Sequence, residues 1–438
     1  MKKKAVLLSV LLILCAILAG CAGKAADTQP AAPSAEPTPE PTPAPTPFME
    51  PEMEKSAVEV WFEGVPLIGG VSVKDGVDYV KLSEVASALD LKVTHEANTP
   101  DYAFSWRKDT VSLSAEKAAA VYLGEERELD AKPLPCSGGE DLYVPVESFC
   151  RAAEIGFYRD TDEETGKTSY YCTPGAGDWA IPDNYNVPVL MYHGVGHSVP
   201  DANLIITPER LEEQIVYLLD NGFTPIWFED LWHVEDFTKP VILTFDDGWS
   251  GVYKYMFPLV EKYQVKVSVA LIVTSSNQHR ENDAAISIEK IEEMMKSPYI
   301  RFESHSVNHY AMDSVPEEDI DAELRDSERW ITRLVKKEPC VFVYPLGGST
   351  PFVQQSVLNY YKFGVKMWSQ TVRANKNIAY NTSDDPALVY RYFVQRNNSM
   401  ERFSGWVEDP FKDPAVNNYV SPEENDRILA ERQAAKEQ

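Results

Sequence analysis

From residue 184 onward the sequence predicts an α/β fold with a parallel sheet, on two observations. Apolar runs at residues 187–191, 241–245, 265–272, 300–303 and 340–344 have the length and content of buried strands. The stretches between them repeat apolar residues at helical spacing, and strands that alternate with helices pair in parallel. Residues 187–191 are the first strand. Thr207 caps the next helix, where Pro208 fits the first position, Leu211, Ile215, Leu218 and Leu219 share a face, and Gly222 ends it. Strands at 241–245 and 265–272 follow, and a helix at 288–296 leads to the strand at 300–303. Ser314 and Glu317 read as a capping box for a helix carrying Ile320, Leu324, Ile331 and Leu334. Residues 340–344 close the series, with 363–367 as a further strand.

Thr244-Phe245-Asp246-Asp247-Gly248 ends one of these strands. Neighbouring side chains on a strand point to opposite faces, so two consecutive carboxylates share a site only where the strand gives way to a loop. Gly248 marks that turn. Further on comes His305-Ser306-Val307-Asn308-His309, and one helical turn would bring its two imidazoles onto one face. One Asp and two His make a three-ligand metal site with open positions, and the second Asp remains as a base. Two His and one carboxylate also match an iron(II) facial triad, although the adjacent second Asp favours hydrolysis.

The two motifs, in this order, resemble the polysaccharide deacetylase (NodB-homology, carbohydrate esterase 4) family. Tyr344-Pro345-Leu346-Gly347 stands where that family carries a P-x-G loop. Pro188-Val189-Leu190-Met191-Tyr192-His193 is similar to the opening strand of the branch acting on exported poly-N-acetylglucosamine. The resemblance covers roughly residues 184–407. It implies a distorted, incomplete (β/α) barrel with the chemistry at the C-terminal ends of the strands. It also implies zinc, or another divalent transition metal, held by Asp247, His305 and His309, with Asp246 as base and the Leu346 N–H as oxyanion donor. The implied substrate is an acetylated polysaccharide with N-acetylated amino sugars, exported or in the cell wall. Two departures bear on this. The arginine that the family carries two residues before the motif proline is Val343 here, and Arg391 is the candidate substitute, set against an ordinary surface arginine. No histidine follows His309, so the late general-acid histidine is missing, and His193 is the candidate acid, set against a structural role. A catalytically silent glycan-binding lipoprotein is therefore the alternative reading.

Residues 1–21 join Lys2-Lys3-Lys4, an apolar stretch over 5–17 and Leu18-Ala19-Gly20-Cys21, the pattern of a lipoprotein signal with Cys21 acylated. The expectation is an extracytoplasmic protein held to the membrane through Cys21. Residues 22–54, rich in Pro, Ala, Thr and Glu, read as a disordered linker with extended polyproline geometry. A net charge of −27 argues against nucleic acid as a partner. Cys136, Cys150 and Cys172 allow a disulfide in an oxidising compartment, but spacing does not choose the pair.

Residues 55–173 hold an internal echo at an offset of 64, Tyr79-Val80-Lys81-Leu82-Ser83-Glu84-Val85-Ala86 being answered by Tyr143-Val144-Pro145-Val146-Glu147-Ser148-Phe149-Cys150. Each unit reads as strand, helix, strand, a small α+β repeat domain. The pattern is similar to the copper amine oxidase N-terminal-like, or stalk, domain. With His95 its sole histidine, it implies no copper, and we read it as a spacer or wall-binding module rather than a substrate-binding one. A loop with Pro174, Gly175, Gly177 and Pro182 separates it from the rest. Trp368 is a candidate lining for a sugar groove. Residues 408–438 read as a polar C-terminal tail.

Overall fold

Seven parallel strands close into a barrel in the computed structural model: β1 (Val189–Tyr192), β2 (Pro240–Phe245), β3 (Val267–Leu271), β4 (Ile300–Ser304), β5 (Val341–Val343), β6 (Phe363–Met367) and β7 (Val389–Phe393). The structure describes residues 49–438 except 90, 96–98, 107–108, 163–164, 174–180, 198–202, 278–284, 368–377 and 437–438. The signal segment with Cys21, nearly all of the linker, the 174–177 turn and Trp368 lie outside the described residues.

Each strand pairs with the next in sequence, and β7 returns to β1 with Leu190 opposite Tyr392. A short outer strand, Thr224–Ile226, adds to the edge of β2. All six positions of β2 are buried, as expected of a strand covered on both faces. The alternation of side chains divides the core in two. Leu190, Leu243, Phe245, Val267, Val269 and Leu271 pack with the surrounding helices, and Val189, Ile242, Ala270, Val341, Val343, Val365 and Val389 pack together within the ring.

Helix α1 (Pro208–Asp220) begins where Thr207 Oγ1 accepts from the Arg210 N–H at 3.3 Å, and Leu211, Ile215 and Leu218 are its buried face. Helix α2 (Glu317–Val335) departs from expectation at its start. Ser314 lies in a separate 3₁₀ turn and donates its hydroxyl to Ala311 O, so no Ser314–Glu317 capping box forms. Pro316 is extended, at φ −55° and ψ 141°, so the helix begins after it. Three acidic residues, Glu317, Glu318 and Asp319, fill its first turn, where they complement the helix dipole.

The polar tail expected over 408–438 is corrected in part. Phe411, Val416 and Val420 are buried, and Asn418 exchanges hydrogen bonds with the backbone of Asn186. A few apolar side chains and a satisfied amide pair suffice to hold a segment that looks hydrophilic overall. Beyond it, helix α3 (Pro422–Lys436) buries none of its residues.

The described residues from 49 onward belong to one compact unit, in which the small α+β part before residue 174 packs on the barrel. The two halves of its internal echo pair with each other. Strand Val77–Lys81 runs antiparallel to Leu142–Pro145 with Val80 opposite Val144, its counterpart 64 residues on. Helices Leu82–Ala88 and Val146–Ala152 follow these strands and share one apolar core with them. The end of α2 meets this part through charges: Asp160 accepts from Arg333 Nε and Nη2 at 2.6 Å each, and the Lys337 ammonium lies 2.5 Å from Glu63 Oε2.

Cys150 and Cys172 are both buried thiols, with Sγ atoms 3.8 Å apart. Closing the pair to a bond length of about 2.05 Å asks for a small side-chain adjustment. Refolding in glutathione disulfide is expected to join Cys150 to Cys172 and to leave Cys136 free. The link would close a loop with a sequence separation of 22, worth about 3 kcal/mol in the chain-entropy account. Peptide mapping by mass spectrometry checks the pairing, and a Cys136-containing bridge would contradict it.

Candidate active site

Strand β2 ends at Phe245, and the backbone then leaves the sheet through left-handed residues, Asp247 at φ +70° and Gly248 at φ +61°. Gly248 suits this turn by its φ, and a Cβ there would lie 2.8 Å from Cδ2 of the buried Leu271. The turn separates the tasks of the two carboxylates. Asp246 is 2 % exposed and accepts from Arg391 Nη1 on Oδ1 and Nη2 on Oδ2, each at 2.7 Å. Nη1 also donates to Thr244 Oγ1, whose hydroxyl donates to Leu190 O. Burial by itself would raise the Asp246 carboxyl. The charge and hydrogen bonds of Arg391, with the nearby His305 and His193, outweigh burial and hold it below the ordinary carboxylate range. Arg391 is itself 1 % exposed, which removes the reading as a surface arginine.

Asp247 faces the histidines. Its Oδ1 lies 3.3 Å from His305 Nε2 and 3.4 Å from His309 Nε2. Among the described residues these three are the one group whose ligand atoms could hold a metal ion, all lying within 4.8 Å of one another. The other ends are tied down. His305 Nδ1 donates to Val343 O at 2.8 Å, which in a neutral ring leaves the Nε2 lone pair facing Asp247. Asp247 Oδ2 accepts from the Trp249 indole N–H at 2.9 Å. One carboxylate oxygen and two imidazole lone pairs would repel one another unless a positive charge sat among them. Burial opposes a charge on His305, yet the hydrogen bond and charge of Asp247 and the charge of Asp246 raise it above its usual range. One carboxylate and two imidazoles suit zinc or another divalent transition metal.

The histidine segment is not the helical turn expected from its spacing. Residues 305–309 form an irregular loop, with Ser306 at φ +66° and His309 at φ +60°. The two rings still approach to 4.8 Å between centroids. Backbone reversal at two left-handed residues does here what helical periodicity would have done.

His193 follows β1, and its Nδ1 is buried without a hydrogen-bond partner. Burial lowers it below the usual histidine range despite the opposing charges of Asp246 and Asp247, which favours the uncharged ring. Leu346 occupies the turn after β5 with φ +56° and is 68 % exposed, while Gly347 N and Gly348 N donate to Tyr344 O and Pro345 O. Val343, where an arginine was expected, contributes its carbonyl instead. Asp246, Asp247, His305, His193 and Leu346 all follow the C-terminal ends of barrel strands, and Arg391 reaches them from β7. Trp249 and Thr244 were missed in the sequence. Trp249 sits directly after the motif, but nothing in its type announced a bond to a carboxylate.

Residues 234–368 match the family Polysaccharide deacetylase. YxkH of Bacillus subtilis (strain 168) is 27% identical over 168 residues, 37% of this chain and 57% of that protein. Poly-beta-1,6-N-acetyl-D-glucosamine N-deacetylase of Staphylococcus aureus (strain MSSA476) is 24% identical over 197 residues, 41% of this chain and 66% of that protein. The chain thus spans less than two thirds of the length of these relatives. Among solved structures, the Streptococcus pyogenes deacetylase PplD in complex with acetate is 22% identical, covering 51% of this chain and 99% of its own, with a TM-score of 0.46. The family match spans strands β2 to β6 of the barrel and includes Asp246, Asp247, His305, His309 and Leu346.

Proposed function

We propose that this protein is a metal-dependent hydrolase that removes acetyl groups from N-acetylated amino sugars of an exported or cell-wall polysaccharide. The observation that carries the reading is the buried pair of Asp246 and Arg391 beside the Asp247, His305 and His309 cluster, a fixed carboxylate base next to a site for a cation. Zinc is the proposed metal, and when bound it would polarise the acyl oxygen and lower the pKa of water.

The remaining work falls to the chain. Asp246, kept ionised and oriented by two hydrogen bonds from Arg391, accepts the proton of the attacking water. The N–H of Leu346 is the proposed donor to the developing oxyanion. As the C–N bond breaks, the leaving nitrogen takes up a proton, relayed through His193, whose unpaired Nδ1 is free for that use. The proton taken from water is thereby returned to the nitrogen, and the products are acetic acid and a free amine, which leave the site as acetate and an ammonium.

In this reading Cys21 is lipidated, residues 22–54 tether the protein outside the membrane, and residues 55–173 are a stalk-type domain without a catalytic part. Acetate release from β-1,6-linked N-acetylglucosamine oligomers is the test. It is expected to vanish on chelation and to return with added zinc. A protein that binds zinc and glycan yet releases no acetate from N- or O-acetylated oligomers would instead be the silent glycan-binding lipoprotein.

A further inference from the structure

The loop that carries both imidazoles has a shape that backbone preference alone would not select, since Ser306 and His309 are left-handed L-residues. Two hydroxyls brace it from within: Ser306 N donates to Ser304 Oγ at 3.3 Å and His309 N to Ser306 Oγ at 2.9 Å. Its carbonyls are held by the segment after β3, where Val273 N and Thr274 N donate to Ser306 O and Val307 O. Its amides turn the other way, toward α2. There the Glu323 carboxylate accepts from Val307 N at 2.9 Å and Asn308 N at 3.1 Å on Oε2, and from Asn308 Nδ2 at 2.5 Å on Oε1. Glu323 is 7 % exposed, so little water competes for these bonds. Both backbone donors belong to residues lying between His305 and His309. A shift of either one therefore changes the separation of the two Nε2 atoms.

We propose that Glu323 is a positioning residue of the metal site, acting through the amides of Val307 and Asn308 to hold the two imidazoles at the spacing a cation needs. The inference rests on reading Asp247, His305 and His309 as the ligand set, and is independent of the reaction they support. A charge-assisted acceptor serving three donors has no equivalent in the loop's own side chains.

The experiment titrates the metal-free protein with zinc against a competing chelator, and follows its thermal unfolding without metal. Glu323→Ala is expected to weaken zinc binding by about 10- to 100-fold, the usual effect of losing an outer-shell partner. Glu323→Gln keeps the size but offers a single neutral acceptor, and it is expected to lie between Ala and the parent, with kcat lowered and KM for oligomers unchanged. Should the folded Gln and Ala variants bind zinc within twofold of the parent while melting lower, Glu323 is a structural residue and the proposal is overturned. If Ala does not fold, the Gln result decides alone. Asp247→Asn is the control: a parent affinity that this change does not reduce means that the ligand set was misread, a failure distinct from that of Glu323.

Discussion

Asp246→Asn is expected to slow acetate release by about two to four orders of magnitude, the range for a positioned general base. The amide has the shape of the carboxylate but cannot take the proton of water. It also turns an N–H group toward Arg391, so one of the two 2.7 Å hydrogen bonds becomes a contact between donors. The metal ligands are untouched, so zinc content, measured by mass spectrometry of the purified variant, should equal that of the parent. Because the missing interaction forms with the reacting water, kcat should carry the loss and KM should move little. A variant with full zinc that keeps more than a tenth of the parental turnover would remove Asp246 from the role of base.

Arg391→Met is expected to produce the largest loss of stability, about 3–5 kcal/mol at neutral pH, the cost of leaving one charge of a buried pair uncompensated. Methionine preserves much of the volume, so the effect comes from charge. The sign of its pH dependence follows from the depressed Asp246 carboxyl. In the parent, a group with a lowered folded pKa contributes stability above the unfolded value of about 3.9, and that contribution is lost as pH falls through the folded value. In the variant, burial acts without the guanidinium and raises the carboxyl, so acidification neutralises the unpaired charge. The stability gap between parent and variant should thus be widest at pH 7 and should narrow as pH falls through the carboxylate range. Urea unfolding at pH 7 and pH 4.5 measures it. Equal midpoints at pH 7 would show that the pair adds nothing. Arg391→Lys is expected to restore only part of the loss, since an ammonium cannot match the bidentate geometry.

Much of the site was legible because its chemistry is local in sequence. Asp246 and Asp247 are adjacent and precede a glycine, and His305 and His309 are four residues apart, so residue type and spacing carried the meaning. Arg391 was harder to read, because it lies far from Asp246 along the chain and only the return of β7 to β1 places it inside the ring. Glu323 left one faint sign: it falls on the buried stripe of α2, beside Ile320, Leu324 and Ser327, where a lone carboxylate needs partners. Trp249 left none. The misread histidine turn has a plain cause. A spacing of four suits a helix, and two left-handed residues can produce the same approach, so spacing could not distinguish them.

By itself, the order of residues determined the alternation of strands and helices, the pairing of two carboxylates with two imidazoles, and the echo of one strand–helix–strand unit by another. These depend on periodicity and side-chain chemistry, which act within a few residues. Barrel closure, the seating of Arg391 on Asp246, the bracing of the histidine loop by α2 and the packing of Phe411, Val416 and Val420 were decided by the tertiary structure. Each of these is a contact between segments distant along the chain, and its free energy comes from burial and from hydrogen bonds that exist only once those segments meet.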